Sequence, residues 1–206
     1  MRRLIFCLAA LFALLSLSAC GAPSVWASDK SVQEAAYVHD GPPMVTLFTV
    51  ISKQSGNGAH SGLLINGSQR VMFDPAGTWQ HPKLPERNDL HYGITPKMEA
   101  FYIDYHARET YDVIKQDIVV SPEVAELMMQ RAMAYGAVSK AHCTNSVSWI
   151  MRGVPSFERL PQTWFPAKLM AAFGKMPGVT TRTITDDDDD DNHGVLLVQV
   201  GDPRLN

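Results

Sequence analysis

A cysteine, a histidine and an aspartate are the side chains of this sequence whose types and settings could combine into nucleophilic catalysis. Cys143 stands in "KAHCTNSVSWIMRG", where Val147, Ile150 and Met151 fall on its side at helical spacing. That pattern puts the thiol in the first turn of a short helix stopped by Gly153. Unpaired backbone amides and the positive end of the helix dipole both favour thiolate there. With a cation nearby, such surroundings lower a cysteine from about 8.5 to roughly 3.5–7.5. A thiolate attacks carbonyl carbon, provided that an imidazole carries its proton.

Seven histidines could supply that imidazole. His142 is adjacent to the cysteine, but neighbours at a helix start point in different directions. His39 lies in a low-complexity stretch, His81 and His91 in a proline-bearing loop, His106 at an expected turn and His193 at an expected strand edge. His60 begins a strand straight after the glycine-rich "SGNGA", with Gly62 and Leu64 on its face. Two apolar runs flank Asn66-Gly67-Ser68, a strong hairpin signal. A three-residue loop sets Ile65 opposite Gln69, Leu64 opposite Arg70 and His60 opposite Asp74, whose carboxylate could orient the ring. A two-residue loop would slip the register by one and turn Asp74 to the other face. Leu63, Ile65, Val71 and Phe73 then form a core face, which leaves the His60/Asp74 face for the cysteine helix, with room for it at Gly62. The plainer alternatives are a solvated strand-end histidine and a turn aspartate before Pro75.

These side chains need elements to hold them, and the expected class is α+β, an antiparallel sheet packed against helices. "MVTLFTVISK" reads as a strand from Met44. "AFYIDYHARETYDVIKQDIVV" reads as a second hairpin, since Phe101, Ile103 and Tyr105 alternate. Ser121-Pro122 opens the clearest helix, running to Tyr135 before Gly136, with Val124, Leu127, Met128, Ala132 and Met133 as its buried stripe. A short helix is expected from Pro166 to Phe173, and "HGVLLVQV" reads as a central strand. The run Asp186 to Asp191 reads as a solvated loop, because calcium loops space their ligands whereas adjacent carboxylates repel. Tyr92, Trp79 and Trp164 are candidates to line a cleft.

The first residues carry an address. Arg2 and Arg3 precede an apolar run, Leu4 to Leu17, too short to span a bilayer and typical of an export signal. Its end, Leu17-Ser18-Ala19-Cys20, resembles the lipobox of bacterial lipoproteins. That resemblance implies removal of residues 1–19, lipidation of Cys20, and, with Gly21 next, an outer-membrane protein facing the periplasm. The alternative is an ordinary secretory signal cut near "VWAS". Residues 20–43, rich in Ala, Ser, Pro and Gly, read as the lipidated N-terminus and a flexible tether, and residues 44–206 as one domain. Three cysteines less Cys7 and Cys20 leave Cys143 alone, so no internal disulfide is open to it. The formal charge moves from −3 to −5 once Arg2 and Arg3 leave, and no basic face asks for nucleic acid. No histidine or acidic spacing forms a compact metal-ligand set, so neither metal nor cofactor is expected.

"HSGLLINGSQRVMFDP" followed by "HCTNSVSWIMRG" resembles the circularly permuted branch of the NlpC-type papain-like superfamily, which includes relatives of lecithin:retinol acyltransferase. The resemblance covers roughly residues 44 to 153. It implies a nucleophile at Cys143, its base at His60, the orienting group at Asp74, and a cell-wall peptide or acylated lipid as substrate. Two positions depart from the branch: His142 stands where asparagine is usual before the cysteine, and Asp74 where a histidine is frequent. The expected function is therefore a cysteine-dependent hydrolase, amidase or peptidase, or an acyltransferase. A non-catalytic lipoprotein that binds peptide or lipid on the same fold is the alternative.

Overall fold

The computed structural model describes residues 22–201. The export signal and Cys20 lie outside the described residues. Among those described, no helix is long and apolar enough to cross a membrane.

The element order is α1 (Asp29–Ala35), β1 (Met44–Ser52), β2 (Gly58–Asn66), β3 (Arg70–Phe73), β4 (Glu86–Arg87), β5 (Leu90–Tyr92), α2 (Pro96–His106), β6 (Tyr111–Val119), α3 (Pro122–Tyr135), α4 (Cys143–Met151), α5 (Pro166–Phe173), β7 (Thr180–Ile184) and α6 (Asn192–Gly201). The architecture is α+β. One antiparallel sheet runs in the order β4-β5-β3-β2-β1-β6-β7, and helices cover both its faces.

The period of two along β1 to β3 sorts side chains onto those faces. Val45, Leu47, Leu63, Ile65, Val71 and Phe73 turn one way, into a core completed by Met128, Ile150, Leu169 and Phe173 from α3, α4 and α5. Phe48, Leu64 and Met72 turn the other way and meet Met98, Tyr102 and Tyr105 of α2, with Trp79 beside them. Each such side chain withdrawn from water contributes about 1.5–3 kcal/mol, so the central strands are pinned in register from above and below. The cysteine helix therefore covers the Leu63/Ile65 face. The expectation that it would cover the His60/Asp74 face is corrected: Val147, Ile150 and Met151 are apolar and follow the larger apolar set.

Two segments differ in kind from expectation. Residues 96–106 form a helix, not a strand of a second hairpin. Thr95 accepts the Met98 amide as N-cap and Pro96 takes the first turn, so the start is preorganised. The last apolar run is helix α6, not a central strand. Asp191 accepts the Gly194 amide at its start, and β7 occupies the sheet edge beside β6. On α3 the expected stripe is rotated slightly: Ala125 and Met129 are buried with Val124, Met128 and Ala132, while Met133 is exposed.

Residues 22–43 also depart from the tether expected of them, because backbone groups fasten them along the domain. Ala27 donates to Glu86, Arg70 donates to the Tyr37 carbonyl, and the Asn66 side chain donates to the Pro42 carbonyl. Trp26 bridges to Arg87, whose guanidinium lies 4.8 Å from the indole. Gly93, at φ +85°, is tight against Ala35, where any Cβ would meet its carbonyl at 2.4 Å. The Asp186–Asp191 run is exposed but anchored. Arg108 donates to the Asp189 carbonyl, Thr110 donates to Asp190, and Lys53 donates to the Asp186 carbonyl.

Candidate active site

The β2–β3 turn has three residues, Gly67 to Gln69, but its register is two residues away from the expected one. Asn66 faces Arg70, Leu64 faces Met72, and Leu63 faces Phe73. Continued outward, that register sets Asp74 opposite Gly62 rather than His60. A slip of two preserves the face, so Asp74 still lies on the His60 side and reaches it diagonally. His60 Nε2 is 2.6 Å from Asp74 Oδ1. The strand is bulged just before this histidine: Val50 faces His60 while Ile51 faces Gly58, leaving Ala59 extra. Such bulges bend a strand and re-aim side chains.

The ladder to β3 ends at the Leu63–Phe73 pair, so the Ser61 amide has no β3 partner and is left to favour the Cys143 thiolate. Cys143 is the first residue of α4 and is 8% exposed. The turn that delivers it is strained, since Ala141 holds φ +67°. His142, the N-cap, makes no side-chain cap bond and its ring packs edge-on against Trp164 at 4.5 Å. The first-turn amides therefore remain available near the thiol. Ser146 Oγ donates to the Cys143 carbonyl, and Thr144 Oγ1 lies 3.8 Å from the sulfur and 3.0 Å from Ser61 Oγ.

Charge completes the arrangement. Burial pushes the Cys143 thiol up, but hydrogen bonding and charge from His60, helped by Thr144 and the Ser61 amide, bring it down to about 7. Burial would lower His60, yet the Asp74 charge and hydrogen bond, with further help from Cys143, raise it to about 10. Asp74 is held well below the usual carboxylate range, burial being outweighed by His60. All three directions favour thiolate, imidazolium and carboxylate together. With Nε2 engaged by Asp74, Nδ1 is the nitrogen free to serve the thiol.

Two further residues belong to this group and were not foreseen. Tyr102 Oη donates to Asp74 Oδ1 at 2.9 Å, and burial beside Asp74 keeps that phenol protonated. Its hydroxyl occupies the space over Gly62, where a Cβ would come within 2.2 Å of it. The room at Gly62 thus serves Tyr102, not the cysteine helix. His106 lies parallel to His60, with ring centroids 5.5 Å apart and planes 1° apart, and its Nδ1 donates to the Tyr102 carbonyl. Burial, with the His60 charge opposing protonation, lowers His106 to about 4 despite Asp74, so the ring is neutral. The missed signal was helical: Met98, Phe101, Tyr102 and Tyr105 recur at three- and four-residue steps behind Thr95-Pro96.

Of the expected cleft aromatics, Tyr92 is a core residue, Trp79 is buried but lines a cavity beside Asp74 and meets Tyr102 edge-on at 5.3 Å, and Trp164 is exposed beside the site. The fold also assembles side chains that no sequence spacing brings together. Donor atoms of His60, Asp74 and His106 lie within 4.8 Å of one another, as do those of Asp104, Asp186 and Asp188. The first set is already joined by the His60–Asp74 contact, and the second is a half-buried to exposed acidic cluster.

Comparison with known protein families, curated proteins and solved structures finds no match for this chain.

Proposed function

We propose that this chain is a cysteine-dependent hydrolase or acyltransferase of the bacterial cell envelope, built on a permuted papain-like plan and anchored through lipid on Cys20. The observation that carries the reading is the 2.6 Å contact between His60 and Asp74, with His60 acting on the nearby Cys143 thiol to bring it down to about 7. In this reading the thiolate attacks an amide or ester carbonyl and the carbonyl π electrons move to oxygen. The Cys143 amide donates to that oxyanion. His60 then gives its Nδ1 proton to the leaving nitrogen or oxygen as the carbon–heteroatom bond breaks, leaving a thioester. Water or an acceptor alcohol, deprotonated by His60, attacks the thioester and restores the thiol. Asp74 and Tyr102 hold the ring throughout.

The proposed substrates are a cell-wall stem peptide or an acylated lipid. The test is to mix mature protein with each class, quench in acid and measure the intact mass. A thioester adduct on Cys143, absent in Cys143→Ala and released by hydroxylamine, is the expected result. Turnover that persists in Cys143→Ala would overturn the reading, whereas saturable binding with neither adduct nor turnover would favour a non-catalytic binding protein.

A further inference from the structure

Helix α6 packs Val195 and Leu196 against the core yet leaves other aliphatic residues in water. Its glutamine, Gln199, is 2% exposed and donates to the Phe101 carbonyl and to Asp104. Its aliphatic residues Leu197 and Val198 are 63% and 74% exposed. Two adjacent exposed aliphatic residues on a helix that buries its glutamine indicate an apolar neighbour for the outer face. A second exposed apolar element lies beside it. Val25 and Trp26, from the fastened N-terminal segment, line a 570 Å³ cavity together with Leu196 and Leu197. Trp26 is held there by its bridge and by the Arg87 guanidinium, its ring more than half exposed. An amphipathic indole in that position suits the boundary between water and lipid.

We propose that this face, formed by Val25, Trp26, Leu197 and Val198, lies on the bilayer surface. The lipid-anchor reading of Cys20 favours lipid over other occupants. Ala22 and Val25 border one cavity of this region, and Cys20 precedes Ala22 by two residues, a reach of at most about 7 Å. An acyl group on Cys20 therefore enters the membrane next to the patch. This inference rests on the lipid-anchor reading. The acyl chains hold the protein at the surface, and the patch sets which face meets it. The domain then lies against the membrane instead of standing off on a tether. The carboxylate end of the site is close behind, because a 400 Å³ cavity lined by Asp74, His91, His193 and Leu196 separates it from α6.

The test uses full-length lipidated protein in phosphatidylethanolamine and phosphatidylglycerol vesicles with brominated acyl chains. Tryptophan quenching is compared with non-brominated vesicles, and the mass of the N-terminal peptide reports acylation of Cys20. Most of the quenching should vanish in Trp26→Phe and fall in Leu197→Glu, and should persist in Trp149→Phe and Trp164→Phe. Quenching carried by Trp149 or Trp164 would overturn the proposal, since another face would then meet lipid. A dimer in sedimentation that Leu197→Glu dissociates would overturn it in favour of a second copy. Acylated Cys20 with Trp26 unquenched refutes the docking alone. Unmodified Cys20 refutes the anchor reading and the docking with it.

Discussion

His60 and Asp74 touch at 2.6 Å although they are not cross-strand partners; Asp74 extends the ladder opposite Gly62 and reaches the histidine on the diagonal. The pair works because the position between them carries no side chain. Tyr102 enters there and gives the same carboxylate oxygen a second donor.

Replacing Asp74 with Asn keeps the shape but removes the charge that holds the imidazolium. In the proposed reaction, turnover should fall by about 10²–10⁴. His60 should then titrate lower and the Cys143 thiol higher, so the pH midpoint of iodoacetamide alkylation should move upward. An unmoved midpoint would show that Asp74 does not reach the thiol through His60.

In the unaltered protein, alkylation of Cys143 should follow a midpoint of about 7. Because the reactive form is the thiolate, the rate rises through that pH and then levels. His60→Ala should shift the midpoint up toward that of an ordinary thiol. Peptide mapping of the labelled protein assigns the signal to Cys143.

Gly62→Ala should destabilise the protein by about 1–3 kcal/mol, because the added methyl meets the Tyr102 hydroxyl. Tyr102→Phe removes that hydroxyl and should recover part of the loss. The double-mutant cycle, measured by urea unfolding, should give a coupling of about 0.5–3 kcal/mol. Additive costs would mean that the two positions do not contact each other.

His106 should make stability fall on acidification. Its folded value of about 4 lies below the unfolded value of roughly 6.5, so between these the unfolded chain binds more protons and stability rises with pH. The contribution is present above 6.5 and lost as pH falls through about 4. In the folded protein His60 titrates above this window and Asp74 below it; what they contribute through the unfolded chain is common to parent and variant, so the difference between the two reports His106. Thermal melts from pH 7 to 4 should slope less steeply in His106→Gln than in the parent.

The sequence made the strands legible where alternation and turns agreed, and the elements from β1 to β3 follow from those two signals. Asp74 fell on the anticipated face because a register offset of two conserves parity. The aromatic residues of α2 misled for a physical reason: Phe101, Ile103 and Tyr105 alternate as a strand does, while Met98, Phe101, Tyr102 and Tyr105 also step as a helix does. The Thr95-Pro96 cap resolves that ambiguity. In α6 a nearly continuous apolar run carries no clear period to read, so its Asp191 cap was the informative residue. His106 and Tyr102 could not be placed before α2 was known to be a helix, since only its last turn carries both rings to Asp74.

Asp89 accepts the Ala76 amide with one carboxylate oxygen and the Val138 amide with the other. The first amide belongs to the turn after Asp74, and the second to the approach to Cys143. A single side chain thus clasps two loops distant in sequence, so slack in one is transmitted to the other. The turn after Asp74 and the approach to Cys143 would loosen together rather than one at a time, and exchange of amide hydrogens in the two loops should report a single shared opening.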